Sequence, residues 1–182
     1  MTTENGAVVM RKIFRENLVG IFLLSCIALM ANLAIADQAN PIVMMKTTDG
    51  DITIELFADK SPITVKNFLR YADEGHFDGT VFHRVIPNFM IQGGGFTAGL
   101  EEKQTFAPIV NESRNKLHNT RGTVAMARTS DPDSATSQFF INVVDNASLD
   151  IARGGAAYAV FGKVVEGMEN VDKIRDTETK TD

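Results

Sequence analysis

Apolar and polar residues alternate along much of the chain after residue 41, which is the pattern of half-buried β-strands. This alternation predicts strands at 42–46 and 52–56, joined through Asp49 and Gly50, a pair typical of hairpin turns. Shorter apolar runs predict five further strands, at 81–86, 89–92, 123–127, 138–143 and 159–164. The pattern therefore predicts seven short strands.

Two stretches show helical spacing instead. After Ser61 and Pro62 the apolar residues recur every three or four positions, so we expect a helix with Ser61 as its N-cap and Pro62 in its first turn. Gly75 is expected to end it. A second helix is predicted at 168–174. Short strands, two helices and many turns favour a mainly β fold, either a small antiparallel barrel or a sandwich.

Residues 1–36 follow a different pattern, in which basic residues precede an apolar run at 18–31 and small residues lead up to Ala36. These three features are typical of a secretory signal peptide, and we expect cleavage after Ala36. The apolar run is short for a membrane span, which needs about 20 residues. We therefore divide the chain into a signal peptide at 1–36 and one domain at 37–182.

Two alternatives to a cleaved signal remain open. The apolar run could stay as an uncleaved anchor, or Cys26 could carry a lipid, because the residues before it resemble a lipoprotein box. Translation starting at Met10 rather than Met1 would give a more usual signal.

Composition and charge exclude several classes of function. Removing residues 1–36 takes away three basic and two acidic side chains, which changes the net charge from −5 to −6 and leaves no basic stripe for nucleic acid. Cys26 is the only cysteine, so the domain has neither a disulfide nor a thiol nucleophile. The three histidines lack metal-ligand spacing, and we expect no metal and no cofactor.

One segment, at 82–94, combines apolar residues with polar groups of the kind found in sites. Alternation across its turn could place Arg84, Phe89, Met90 and Gln92 around one concave face. The pattern alone leaves a second interpretation, in which Phe89 and Met90 belong to the core and Arg84 points to solvent.

Three segments, at 82–96, 122–142 and 149–164, resemble the cyclophilin family, and most closely the periplasmic cyclophilins of Gram-negative bacteria. The resemblance implies a closed antiparallel β-barrel and peptidyl-prolyl cis-trans isomerase activity on proline-containing polypeptides. It also implies a monomer in the periplasm that assists the folding of exported proteins.

The resemblance implies a role for each matching residue. Arg84 matches the catalytic arginine, and Gln92 is expected to act with it. The residues matching the substrate-binding positions are Phe89, Met90, Ala127, Arg128, Gln138, Phe140, Leu149 and Tyr158. Ser148 stands where strong cyclosporin binders carry tryptophan, so we expect weak or no cyclosporin binding.

The chain departs from the family pattern after the second helix. Cyclophilins close an eight-stranded barrel with a final apolar strand, whereas residues 177–182 are polar. We therefore expect the last strand to be missing, which would leave an open seam. Two other functions remain open: a non-catalytic peptide-binding or holdase module that uses the same groove, and a truncated inactive product.

Overall fold

The structure of the protein is a computed structural model that describes residues 9–13 by their backbone, and residues 39–152 and 155–179. It contains eight strands and two α-helices. The strands are β1 (Val9–Ile13), β2 (Ile42–Thr47), β3 (Gly50–Leu56), β4 (Arg84–Ile86), β5 (Met90–Gly93), β6 (Thr123–Met126), β7 (Phe139–Asn142) and β8 (Val160–Glu166). The helices are α1 (Pro62–Asp73) and α2 (Met168–Arg175), and two short 3₁₀ turns cover Ser113–Asn115 and Ala147–Leu149.

All strands belong to one antiparallel sheet, in the order β1-β2-β3-β8-β6-β7-β5-β4. The predicted fold class, mainly β with two helices, is confirmed. The first of the five short strands is shorter than predicted, because the Val81 amide donates to the Phe96 carbonyl at 3.0 Å and the ladder begins only at Arg84. The predicted range 81–86 therefore includes three residues that precede the strand.

The eighth strand comes from a part of the chain that the sequence pattern assigned to the signal peptide. The backbone of β1 pairs with the outer edge of β2, from Val9 opposite Lys46 to Ile13 opposite Ile42. The seven strands predicted after residue 41 are all present, as β2 to β8, and β1 adds an eighth from the segment before them. Strands β1 and β4 stand at the two ends of the order, and no described pairing joins them, so closure into a barrel is not shown.

The signal peptide itself stays a prediction, because the other residues of 1–36, including Cys26, lie outside the described residues. Within the described part of the chain, no helix is long and apolar enough to cross a membrane.

Helix α1 begins where the sequence predicts, but its cap differs. The Ser61 hydroxyl makes no capping bond and donates to the Val160 carbonyl at 2.9 Å. The first-turn amides of Ile63 and Thr64 instead donate to the Glu112 carboxylate, at 3.1 and 2.8 Å. A distant carboxylate thus supplies the negative charge that a helix N-terminus favours.

The sheet buries its two faces in different ways. On one side of the sheet, which we call the core face, alternate residues of β5 to β8 pack in a large core together with residues of both helices. These strand residues include Ile91, Val124, Phe139, Ile141 and Phe161. The residues between them form a small second cluster of Met90, Ala125, Phe140 and Val160. We call the side that carries this cluster the pocket face.

Candidate active site

The site is built from one row of paired residues across five strands. Arg84 pairs with Gln92, Gln92 with Phe140, Phe140 with Ala125, and Ala125 with Val160. Directly paired residues point to the same face of a sheet, so the ladder places Arg84 beside the pocket face. Antiparallel register alone brings together residues that are far apart in the sequence.

A cavity of about 100 Å³ opens on this face. Its lining consists of Arg84, Phe89, Met90, Gln92, Ala127, Arg128, Phe140, Leu149 and Tyr158. Nine of the ten residues expected from the sequence therefore lie around one hollow. The exception is Gln138, which lies outside the lining and reaches the site through another glutamine.

Three polar side chains form a line at the rim. Arg84 Nη1 donates to Gln92 Oε1 at 3.3 Å, and Gln92 Nε2 donates to Gln138 Oε1 at 2.9 Å. A Cβ added at Gly95 would lie 2.6 Å from Gln138 Cγ, so the glycine leaves the space that Gln138 occupies. The guanidinium is thereby oriented along the rim by a partner that carries no charge.

The two interpretations of segment 82–94, a concave site and a core with Arg84 facing solvent, are each correct in part. Met90 is 1% exposed and belongs to the pocket-face cluster, and it also lines the cavity. Arg84 is exposed but stands at the cavity rim rather than pointing away from it.

The neighbouring histidine contributes no second charge. Burial is the largest influence on His83 and lowers its pKa, and the positive charge of Arg84 acts in the same direction. His83 is thus neutral at pH 7. Its ring packs against Phe96 with centroids 4.6 Å apart.

A second arginine, Arg128, also lines the cavity. Arg128 Nη1 donates to the Thr129 carbonyl at 2.8 Å, and Nη2 donates to the Ala156 carbonyl at 2.5 Å. Its guanidinium carbon stands 4.8 Å from the centre of the Tyr158 ring. Tyr158 in turn meets Phe140 edge to face, with centroids 5.6 Å apart. Arg128 thus braces the aromatic wall of the hollow.

The cavity is suited to binding a small apolar ring beside the positive charge of Arg84. Residues 42–182 match the family model described as cyclophilin type peptidyl-prolyl cis-trans isomerase/CLD. The chain belongs to the cyclophilin family.

Curated relatives agree with this membership. The cyclophilin is 62% identical over 143 residues to a peptidyl-prolyl cis-trans isomerase of Acinetobacter baylyi, covering 79% of this chain and 76% of that protein. It is 56% identical over 141 residues to peptidyl-prolyl cis-trans isomerase B of Escherichia coli K12, covering 76% and 86%. The cyclophilin is therefore an enzyme of the peptidyl-prolyl cis-trans isomerase class.

Solved structures show the same fold. A cyclophilin-type isomerase of Cryptosporidium parvum, solved in the presence of the dipeptide Ala-Pro, matches with a TM-score of 0.65 and 29% identity, over 75% of this chain and 86% of that chain. A cyclophilin of Hirschia baltica matches in fold with a TM-score of 0.63 at 24% identity, over 72% and 66%.

The sequence interpretation missed a group of buried polar residues that bond to the backbone of residues lining the cavity. Asn119, Asn142 and Asn146 are 1%, 0% and 7% exposed, and they are joined by hydrogen bonds between their side chains. The sequence held one sign of this group, because the polar residue Asn142 directly follows the apolar run Phe139–Ile141 inside a predicted strand.

Proposed function

We propose that this cyclophilin rotates X-Pro bonds of exported polypeptides, with Arg84 acting on the reacting amide and the cavity holding the proline ring. The observation that carries the proposal is the position of Arg84, tied to Gln92 at the rim of a hollow lined by Phe89, Met90 and Phe140.

The chemistry of the reaction explains why these residue types suit it. Rotation about a peptide bond crosses a barrier of about 18–20 kcal/mol and makes or breaks no covalent bond. In the twisted amide the prolyl nitrogen loses resonance and becomes a better hydrogen-bond acceptor. A guanidinium held near that nitrogen stabilises the twisted form more than the planar forms, which is the condition for catalysis.

Magnitudes limit what Arg84 does alone. A charge-assisted hydrogen bond contributes about 1.5–3 kcal/mol, which is one to two powers of ten in rate. The remaining acceleration comes from the ring held in the cavity, from Gln92 and Gln138 orienting the chain, and from exclusion of water.

A protease-coupled assay on an Ala-Pro peptide tests the role of Arg84. We expect Arg84→Ala to lower kcat/KM by about tenfold or more, with an unchanged melting temperature. Arg114→Ala is the matched control, since Arg114 is an exposed arginine that does not line the cavity. Equal turnover of Arg84→Ala and the parent chain would remove Arg84 from the proposal. If the protein is instead a holdase that uses the same groove, the parent chain and Arg84→Ala would both bind the peptide and neither would isomerise it.

Export and periplasmic location are the second part of the proposal. Their support is the signal-peptide pattern of residues 1–36. Expression of the full chain in a Gram-negative host, followed by mass spectrometry of the periplasmic fraction, is expected to give a product beginning at Asp37. A cytoplasmic product retaining Met1 or Met10 would contradict this part alone.

Weak cyclosporin binding is the third part. Ser148 is exposed next to Leu149 on the edge of the cavity, where it offers neither a large ring nor an indole N–H. We expect Ser148→Trp to bind cyclosporin more tightly than the parent chain in calorimetry. Submicromolar binding by the parent chain would refute the expectation.

A further inference from the structure

The cavity has two kinds of wall, which are held in place in different ways. Arg84, Met90, Gln92 and Phe140 lie in strands, where ladder hydrogen bonds fix the backbone. The other lining residues lie outside the strands: Ala127 and Arg128 directly follow β6, and a further group, which we call the loop wall, consists of Phe89, Leu149 and Tyr158. A loop residue has no ladder to hold it, so its position depends on other bonds.

A line of three buried asparagines, which we call the amide chain, is hydrogen-bonded to the loop wall. Asn146 Nδ2 donates to Asn142 Oδ1 at 2.7 Å, and Asn142 Nδ2 donates to Asn119 Oδ1 at 3.1 Å. Asn119 Nδ2 then donates to Asp150 Oδ1 at 2.8 Å. Each amide thus donates to the next, and the line ends on a carboxylate.

The asparagine side chains bond to two residues of the loop wall, and the backbone of Asn146 bonds to the third. Asn146 Nδ2 donates to the Phe89 carbonyl at 2.8 Å, and Asn119 Nδ2 donates to the Tyr158 carbonyl at 3.3 Å. Leu149 is bound from both sides, because its amide donates to the Asn146 carbonyl at 2.9 Å and its carbonyl accepts from the Tyr158 amide at 3.1 Å.

Asp150 sets the direction of the whole line. An ionised carboxylate only accepts hydrogen bonds, so Asn119 must turn its NH₂ toward Asp150 and its oxygen toward Asn142. The same choice then passes to Asn142 and to Asn146. Burial by itself would raise the pKa of Asp150, but hydrogen bonds from the Asn119 side chain and backbone and from His118 outweigh it and lower the pKa. Asp150 is therefore ionised at neutral pH.

We propose that the amide chain is a positioning device that fixes the loop wall against the strand floor and thereby sets the affinity of the cavity for the proline ring. This inference rests on the proposed function of the cavity as the proline site. A buried amide without a partner is costly, so the line has one satisfied arrangement and holds its three loops in that arrangement.

The loop wall and Arg84 are expected to affect different kinetic parameters, KM and kcat respectively. The loop wall contacts the ring in the planar and the twisted states alike, so loosening it weakens both and raises KM. Arg84 acts on the twisted state, so its loss lowers kcat. A residue with a merely structural role would lower the melting temperature and leave KM unchanged in the folded protein.

The test compares Asn146→Ala with Asn115→Ala. Asn115 is a matched control because its amide also makes two donor bonds, to the Ser61 hydroxyl at 2.7 Å and the Val160 carbonyl at 2.8 Å. Neither partner lines the cavity, and Val160, at the end of the paired row, is also held by the ladder of β8. At low temperature, where circular dichroism shows both variants folded, we expect Asn146→Ala to raise KM about fivefold with kcat little changed, the size of effect given by one weakened contact. The control is expected to lose stability only.

Peptide affinity measured by NMR titration keeps this test independent of turnover. The Kd for an Ala-Pro peptide is expected to rise in parallel with KM in Asn146→Ala. If that variant fails to fold, Thr123→Val is used, because it leaves the three asparagines in place and removes the hydroxyl that accepts from Asn142 Nδ2 at 2.9 Å and donates to the Thr120 carbonyl at 2.7 Å. We then expect a smaller rise in the same direction.

Two results would overturn the inference: an unchanged Kd in a folded variant that has lost its amide bond, or an equal rise in the Asn115→Ala control. A parent chain that binds the peptide but does not isomerise it would contradict the proposed function instead. The comparison of Kd values would still test the amide chain in that case.

Discussion

Phe139 and Phe140 are neighbours in the same strand, yet they belong to different parts of the molecule. Phe139 is 2% exposed and its ring meets those of Phe68, Phe77 and Phe82 at centroid distances of 5.5, 5.7 and 6.2 Å. Phe140 is 4% exposed on the opposite face.

The ring of Phe140 has a less complete environment. Its aromatic neighbour is Tyr158, and one side of the ring forms part of the cavity lining. A ring with a gap beside it loses the dispersion contacts that close packing would provide. The core face thus supplies stability, whereas the pocket face leaves contacts unmade that a substrate ring can make.

The strongest test of this difference is Phe139→Ala. Truncating a fully enclosed phenylalanine costs about 3–5 kcal/mol, a large part of the 5–15 kcal/mol that stabilises a typical domain. We expect urea unfolding to show a loss of that size. Isomerase kcat/KM, measured at low temperature on the folded protein, should stay close to that of the parent chain. A folded Phe139→Ala protein without activity would show that the two faces are not separable.

The reverse result is expected for Phe140→Ala. The variant removes a ring from the cavity lining, and burying such a ring contributes about 1.5–3 kcal/mol, so kcat/KM should fall by about 10- to 100-fold. Its loss of stability in urea should be smaller than that of Phe139→Ala, because the site already lacks atoms on one side. A larger loss of stability than in Phe139→Ala, with activity retained, would reverse our assignment of the faces.

Acid pH provides the mildest test. Burial is the largest cause that lowers the pKa of both His83 and His76, so each binds a proton more weakly in the folded than in the unfolded chain. Their contribution to stability is therefore complete above the unfolded value of about 6.5 and is lost as the pH falls through the folded pKa.

We expect the melting temperature to decrease below pH 6.5, by less than either phenylalanine substitution causes. His83→Phe should show a shallower decrease, since it removes one of the two groups. The same slope in His83→Phe and the parent chain would mean that His83 does not contribute.

The sequence predicted most of the strands because alternation records which face each residue occupies. Ile91 and Ile141 alternate with Met90 and Phe140, and this period of two is visible in the order of the residues alone. The register could not be read from it. The pairing of Arg84 with Gln92 and of Gln92 with Phe140 depends on hydrogen bonds between segments, and here the family resemblance supplied what the pattern lacked.

Three features were not predicted from the sequence, because each depends on residues that are distant along the chain. The cap of α1 comes from Glu112, 48 residues after Thr64, whereas the adjacent Ser61 makes a different bond. Asparagine is usually read as a turn residue, so the buried line through Asn142 was not expected. Strand β1 lies in a segment whose composition indicates a signal peptide, and composition does not reveal that its backbone pairs with β2.

In the proposed mechanism, Arg84 stabilises the half-rotated amide rather than the bound planar peptide. Exchange NMR on an Ala-Pro peptide held in excess over the enzyme measures the rate of cis-trans interconversion in the complex, and a titration gives its Kd. We predict that Arg84→Ala slows the interconversion by about tenfold or more while changing Kd little. An unchanged rate in the complex together with a higher Kd would contradict this role, because Arg84 would then serve binding alone.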